Sequence, residues 1–148
     1  MATGIELQKI TKARLKTVKI LKKAEDWEGT AYMMGYVLEC ALKAAICSTL
    51  NLSSYPEKVK EENIAKYFMT HNFLQLLVVS GLQKTFSAEG PAKSWENWSN
   101  FTFEYQGNWT EMRYDGNRIW DKKKITKLFR ALVSARTGAI IKEVMKKW

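Results

Sequence analysis

Apolar residues recur along most of the chain with a period near that of a helix, and no stretch of Val, Ile and Thr alternates with polar positions. The pattern therefore predicts helices and no sheet. A step of about 100° per residue gathers Leu7, Ile10, Val18, Leu21 and Ala24 on one side of a first helix, residues 5–24. Lys9, Lys12, Lys16, Lys19 and Lys23 fall on the opposite side, which makes this a surface helix with one lysine stripe.

The next segment, residues 26–50, is almost wholly apolar. Asp26 is placed to cap it, and Ala31, Met34, Gly35, Leu38, Leu42, Ala45 and Ile46 form a core face whose small residues let neighbours approach closely. Turn residues in 51–56 end the run, and a short charged helix over 57–68 follows. Thr70 is a cap for a third core helix, residues 71–82, with Phe73, Leu74, Leu77 and Val78 inward and Gly81 as its stop. Residues 90–120 are rich in aromatics. Trp95, Trp98 and Phe101 have helical spacing, and an irregular loop containing Gly107 and Gly116 comes after them. Asp121 caps a last long helix with Ile125, Leu128, Phe129, Leu132 and Ala135 on its apolar side, where Arg136 also falls. The expected architecture is all-α, an up-and-down bundle of four to five helices in one domain covering 1–148.

A chain of 148 residues can bury a core without staples. Cys40 and Cys47 lie seven apart within one predicted helix, so they read as small buried thiols, in keeping with a reducing cytoplasm. Residues 1–8 lack the basic and apolar regions of a secretory signal, which again points to the cytoplasm. Residues 29–50 are long enough to span a bilayer, but Glu39 and Lys43 at their middle would each cost about 2.5 to 3.5 kcal/mol there. A buried helix of a soluble protein, with no membrane partner, is the better reading. The net charge of +9 is uneven: +6 over residues 1–23, −4 over 24–120 and +7 over 121–148. Such ends form a patch for RNA or another polyanion if they lie side by side; lysines solvating the outer faces of amphipathic helices are the plainer explanation.

Within residues 29–50 the only charges, Glu39 and Lys43, share a stripe with Tyr32 and Tyr36. On an exposed helix an i,i+4 pair of this kind contributes only about 0.2 to 0.5 kcal/mol. On a helix this apolar, each charge needs a partner or a wet cleft, because an unpaired buried charge costs several kcal/mol. The stripe faces a cleft, another subunit, or charges from elsewhere in the fold; Arg136, displaced onto an apolar face, is a candidate partner for Glu39. The alternative is an ion pair that only fixes helix register.

The run GTAYMMGYVLECALKAAIC at 29–47, then MTHNF at 69–73 and EMRYDG at 111–116, resembles the HEPN domain, a superfamily that includes the helical domains of kanamycin-type nucleotidyltransferases. The resemblance covers residues 5–145, and its most specific part is Tyr32-x3-Tyr36-x2-Glu39-x3-Lys43. It implies a four- or five-helix bundle that pairs into a homodimer, in families serving toxin–antitoxin pairs, antiphage defence and RNA processing. Some members bind nucleotides or partner a minimal nucleotidyltransferase; others are metal-independent ribonucleases with an Arg-x4-6-His motif. Here His71 is the only histidine and no arginine precedes it with four to six residues between. Lys66 occupies the nearest such position but lacks the bidentate fork of arginine. Arg113 and Tyr114 match the family's Arg-Tyr pair, which suggests a capping or phosphate-facing role.

Other chemistry lacks material. One histidine and two cysteines on one helix make no metal site, no cofactor is implied, and no Gly-rich phosphate loop is present. Aromatic stacking of bases by residues 95–120 is weighed against the commoner role of such residues in a core. The leading expectation is a non-nucleolytic accessory that binds a nucleotide or RNA, beside a nucleotidyltransferase. A divergent ribonuclease toxin using Lys66 and His71 comes next, and a structural dimerisation module third. The site residues expected are Tyr32, Tyr36, Glu39, Lys43, Lys66, His71, Arg113, Tyr114 and Arg136.

Overall fold

A computed structural model describes residues 1–148 and is helical throughout, with no strand. Helix α1 (Gly4–Lys23) opens with a capping box between Thr3 and Glu6, and α2 (Trp27–Thr49) with the Asp26 carboxylate accepting from the Gly29 amide at 2.9 Å. The two run antiparallel as a hairpin: Gly4 sits so near Cys47 that a β-carbon there would be 3.1 Å from the cysteine's own. The lysine stripe expected on α1 is exposed along its length.

Helix α2 is central. Its 23 residues include 14 that are buried, among them every residue of the expected core face, and it touches α1, α4, α6, α7 and the turn at 109–114. A helix enclosed nearly all round must be apolar nearly all round. No helix is long and apolar enough to cross a membrane.

Around α2 the remaining helices are short: α3 (Glu62–Phe68), α4 (Phe73–Ser80), α5 (Ala92–Thr102), α6 (Lys122–Phe129) and α7 (Ile140–Met145). Helix α3 starts five residues later than expected, has no side-chain cap and buries no residue fully, so little beyond propensity extends it. Asn72, not Thr70, caps α4, accepting from the Gln75 amide. Thr70 instead accepts from the Asn72 amide. With that start, Phe73, Leu76, Leu77 and Ser80 face the core, and Leu74 and Val78, expected inward, are about half exposed.

The expected last long helix is broken. After α6 the chain widens into a π turn (Arg130–Ser134), closed by the Ala135 amide on the Arg130 carbonyl at 2.8 Å, and then runs non-helically to α7. Gly138, at φ +70, lies so close to α5 that a β-carbon would be 2.6 Å from the Ser94 amide nitrogen. A straight helix would carry this stretch away from α5.

The aromatic stretch supplies most of the core on one flank of α2. Trp98, Phe101, Tyr105, Trp109 and Trp120 are buried, which sets aside base stacking for these five, whereas Trp95, Phe103 and Tyr114 are exposed. Phe101 and Tyr105 stack at 4.5 Å, and the Tyr105 hydroxyl donates to the Ala31 carbonyl at 2.7 Å. The basic ends of the chain adjoin: the Lys12 ammonium lies 5.9 Å from the Trp148 ring and that of Lys22 5.1 Å from the Phe129 ring.

Candidate functional site

Glu39 is the pivot of the polar stripe. It is 4% exposed, and both carboxylate oxygens are engaged: Oε1 accepts from the Lys43 ammonium at 2.7 Å, and Oε2 meets His71 Nδ1 at 2.9 Å. An ionised carboxylate can only accept, so Nδ1 carries the imidazole proton and Nε2 is left without a partner inside the chain. The His71 side chain is 53% exposed, against 18% for Lys43. The pair thus joins a buried anion to a surface imidazole.

Trp109 holds the other side. Its indole N–H donates to the His71 carbonyl at 2.8 Å, fixing the backbone that presents the imidazole. Its ring stacks on Phe73 at 5.5 Å and meets Tyr32 at 5.6 Å and His71 edge-on at 6.4 Å. Gly35 makes the room: a β-carbon there would be 2.6 Å from the Trp109 ring. Beyond Trp109, the Arg113 guanidinium donates to the Tyr32 hydroxyl at 3.2 Å and lies 5.5 Å from the Tyr32 ring and 4.8 Å from that of Tyr114. It bonds to a side chain, not to helix-end carbonyls.

The floor beside Lys43 is Tyr55, whose ring lies 5.1 Å from the ammonium and whose hydroxyl donates to the Phe68 carbonyl at 2.7 Å. Tyr36 stands at the margin, beside Cys40. The negative charge of a Cys40 thiolate, then burial, push its hydroxyl above the ordinary tyrosine range. Burial, with the Glu39 charge adding to it, pushes the Cys40 thiol up to about 11, so it is no ready nucleophile.

The fold therefore brings together Tyr32, Glu39, Lys43, His71, Arg113 and Tyr114, with Tyr36 at the edge. Two expected residues lie elsewhere. Arg136 does not pair with Glu39, whose oxygens belong to Lys43 and His71; the π turn has carried it to an exposed position beside α5. Lys66 is exposed on α3, with its ammonium 5.2 Å from the Tyr67 ring, and takes no part in the Glu39 network. Sequence reasoning missed Trp109 and Tyr55 as organisers. The signal for Trp109 was Gly35, expected to let a neighbour approach closely, but the sequence does not say which neighbour.

Compared with protein-family models, with curated proteins and with solved structures, the chain matches none.

Proposed function

We propose that the chain is a HEPN-like, non-nucleolytic domain that binds a nucleotide or RNA at the face formed by Tyr32, Glu39, His71 and Arg113. Arg113 carries this reading. Its guanidinium is exposed, has no acidic partner, and is held between two tyrosine rings. A cation ordered in advance loses little freedom on meeting a phosphate, and its fork suits phosphate oxygens. Tyr114, 78% exposed, offers a ring on which a base can stack. Lys43 neutralises Glu39, so the buried carboxylate does not repel an anion. The adjoining basic ends add attraction for a polyanion.

The test is fluorescence anisotropy of a labelled single-stranded RNA of mixed sequence, with ATP as competitor. Arg113→Ala is expected to weaken binding at least about tenfold, near 1.4 kcal/mol, and Lys84→Ala, exposed beyond the end of α4 opposite His71, to leave it unchanged. Binding should fall steeply with salt. Wild-type protein that binds neither ligand would overturn the reading. The resemblance also carries a homodimer, a nucleotidyltransferase partner in a toxin–antitoxin or defence system, and a cytoplasmic location; light scattering reads the first directly.

One observation favours a second reading, a divergent ribonuclease. A buried carboxylate on Nδ1 orients an imidazole for acid–base work at Nε2. Lys66 is not part of that arrangement, so Arg113 would have to serve the phosphate. Incubating mixed RNA with wild type and His71→Ala sinks this alternative if no His71-dependent cleavage appears.

A further inference from the structure

The π turn has a second consequence. Between α5 and the segment that follows α6 lies a cavity of about 350 Å³, lined by polar side chains except for Ala131 and Ala135. Lys127 from α6, Arg130 from the π turn and Arg136 from the bend that leads to α7 all border it. None of the three has a carboxylate within 4 Å. The one acid at the rim, Glu96, is paired with Lys93 at 3.0 Å. The cavity thus holds three uncompensated positive charges in a space large enough for more than a single phosphate.

We propose that this cavity is a binding site for a polyphosphate group, free or carried by a nucleotide. Two arginines offer bidentate forks to phosphate oxygens and Lys127 a point charge, a combination suited to a dense tetrahedral anion. The walls are fixed. Asn97 Nδ2 donates to the carbonyls of Thr137 and Gly138, at 3.2 and 2.8 Å, fastening the segment that carries Arg136 to α5. Gly138 sits against the Ser94 backbone too closely for any side chain. The π turn explains why Arg136 is here at all. Regular periodicity would set it on the apolar side with Ile125 and Leu132, and the wider turn redirects the chain after Ser134. Unlike lysines spread along a solvated helix face, these cations come from three successive pieces of backbone and converge on one concavity.

Calorimetric titration of the whole chain with inorganic tripolyphosphate, and separately with ATP, tests this. Saturable binding of tripolyphosphate is expected, weakened about tenfold or more in Arg130→Ala and in Arg136→Ala, which are exposed and should melt like wild type. Arg113→Ala, with the Glu39 face disabled, should still bind tripolyphosphate saturably and still weaken about tenfold when Arg130→Ala is added, and Lys9→Ala should bind it as wild type does. The Arg113→Ala background thus separates this site from the Glu39 face, so either can fail alone. In the Arg113→Ala background, ATP bound as tightly as tripolyphosphate marks a site that reads phosphate only; tighter ATP marks a nucleotide site. No saturable tripolyphosphate binding overturns the proposal, as does equal weakening by Lys9→Ala and Arg130→Ala, which would mean diffuse attraction. RNA binding that Arg130→Ala and Arg136→Ala weaken, with no binding of tripolyphosphate, overturns it in favour of a polymer surface.

Discussion

Replacing Trp109 by alanine is expected to destabilise the fold by about 4 kcal/mol and to abolish ligand binding at the Glu39 face. Large-to-small changes at a buried Trp or Phe cost about 3 to 5 kcal/mol, because the neighbours relax only part-way into the cavity. Trp109 is 2% exposed and packs against Tyr32, Phe73 and Tyr105, while Gly35 beneath it has no side chain to fill the space. Such a loss is a large share of the 5 to 15 kcal/mol by which a domain of this kind is usually stable. The indole N–H that fixes the His71 backbone goes with it. Trp109→Phe separates the effects: it keeps most of the volume and loses the hydrogen bond, at about 1 kcal/mol. Urea unfolding followed by circular dichroism reads both variants. A cost below about 1 kcal/mol for the alanine variant would show that Trp109 is not the wall between the imidazole and the arginine.

Glu39→Ala should produce the second-largest loss, about 2 to 4 kcal/mol. Removing one member of a buried pair strands the other, and the cost for fully buried pairs is about 3 to 5 kcal/mol. Here His71 can reach water and Lys43 partly so, which moves the expectation down. The informative companion is Glu39→Leu together with Lys43→Met, which removes both charges and keeps their volume. Replacing a whole buried pair by apolar residues is often neutral or stabilising. The double variant should regain most of the stability yet bind RNA or nucleotide more weakly than wild type, because no carboxylate then orients the imidazole. If it binds as wild type does, the pair serves only to set helix register, and the functional reading of the stripe fails.

How far the site could be read from the chain follows from where each contact lies in sequence. Glu39 and Lys43 are one helical turn apart, so periodicity alone puts them on one face and their apolar surroundings demand a partner. The hairpin, the Asp26 cap and the core face of α2 are local in the same way. His71 as that partner was not legible: it lies 32 residues away, and Arg136 satisfied the same electrostatic argument. Periodicity misplaced Arg136 because it assumes a constant turn, and a π turn changes the phase of everything after it. It misjudged Leu74 and Val78 for a related reason. With apolar residues nearly all round α4, the pattern does not choose a face, and packing chose Leu76 over both. Trp98, Phe101 and Trp109 were legible as apolar, but which aromatics are walls and which are surface depends on contacts with α2 across long spans of chain.

The closeness of Gly4 to Cys47 bears on the order in which these parts form. A hairpin of adjacent helices needs little loop closure, and such local structure assembles early and fast. The bonds that complete the Glu39 face join residues 38 and 81 positions apart, at Trp109–His71 and Arg113–Tyr32, and must wait for the second half of the chain to dock. Pulsed hydrogen exchange during refolding should therefore protect the amides of α1 and α2 before those of 109–114. Simultaneous protection would mean the two halves fold as one unit. On this account the fold carries Glu39 and Lys43 into place at the outset and receives the imidazole and the arginine last.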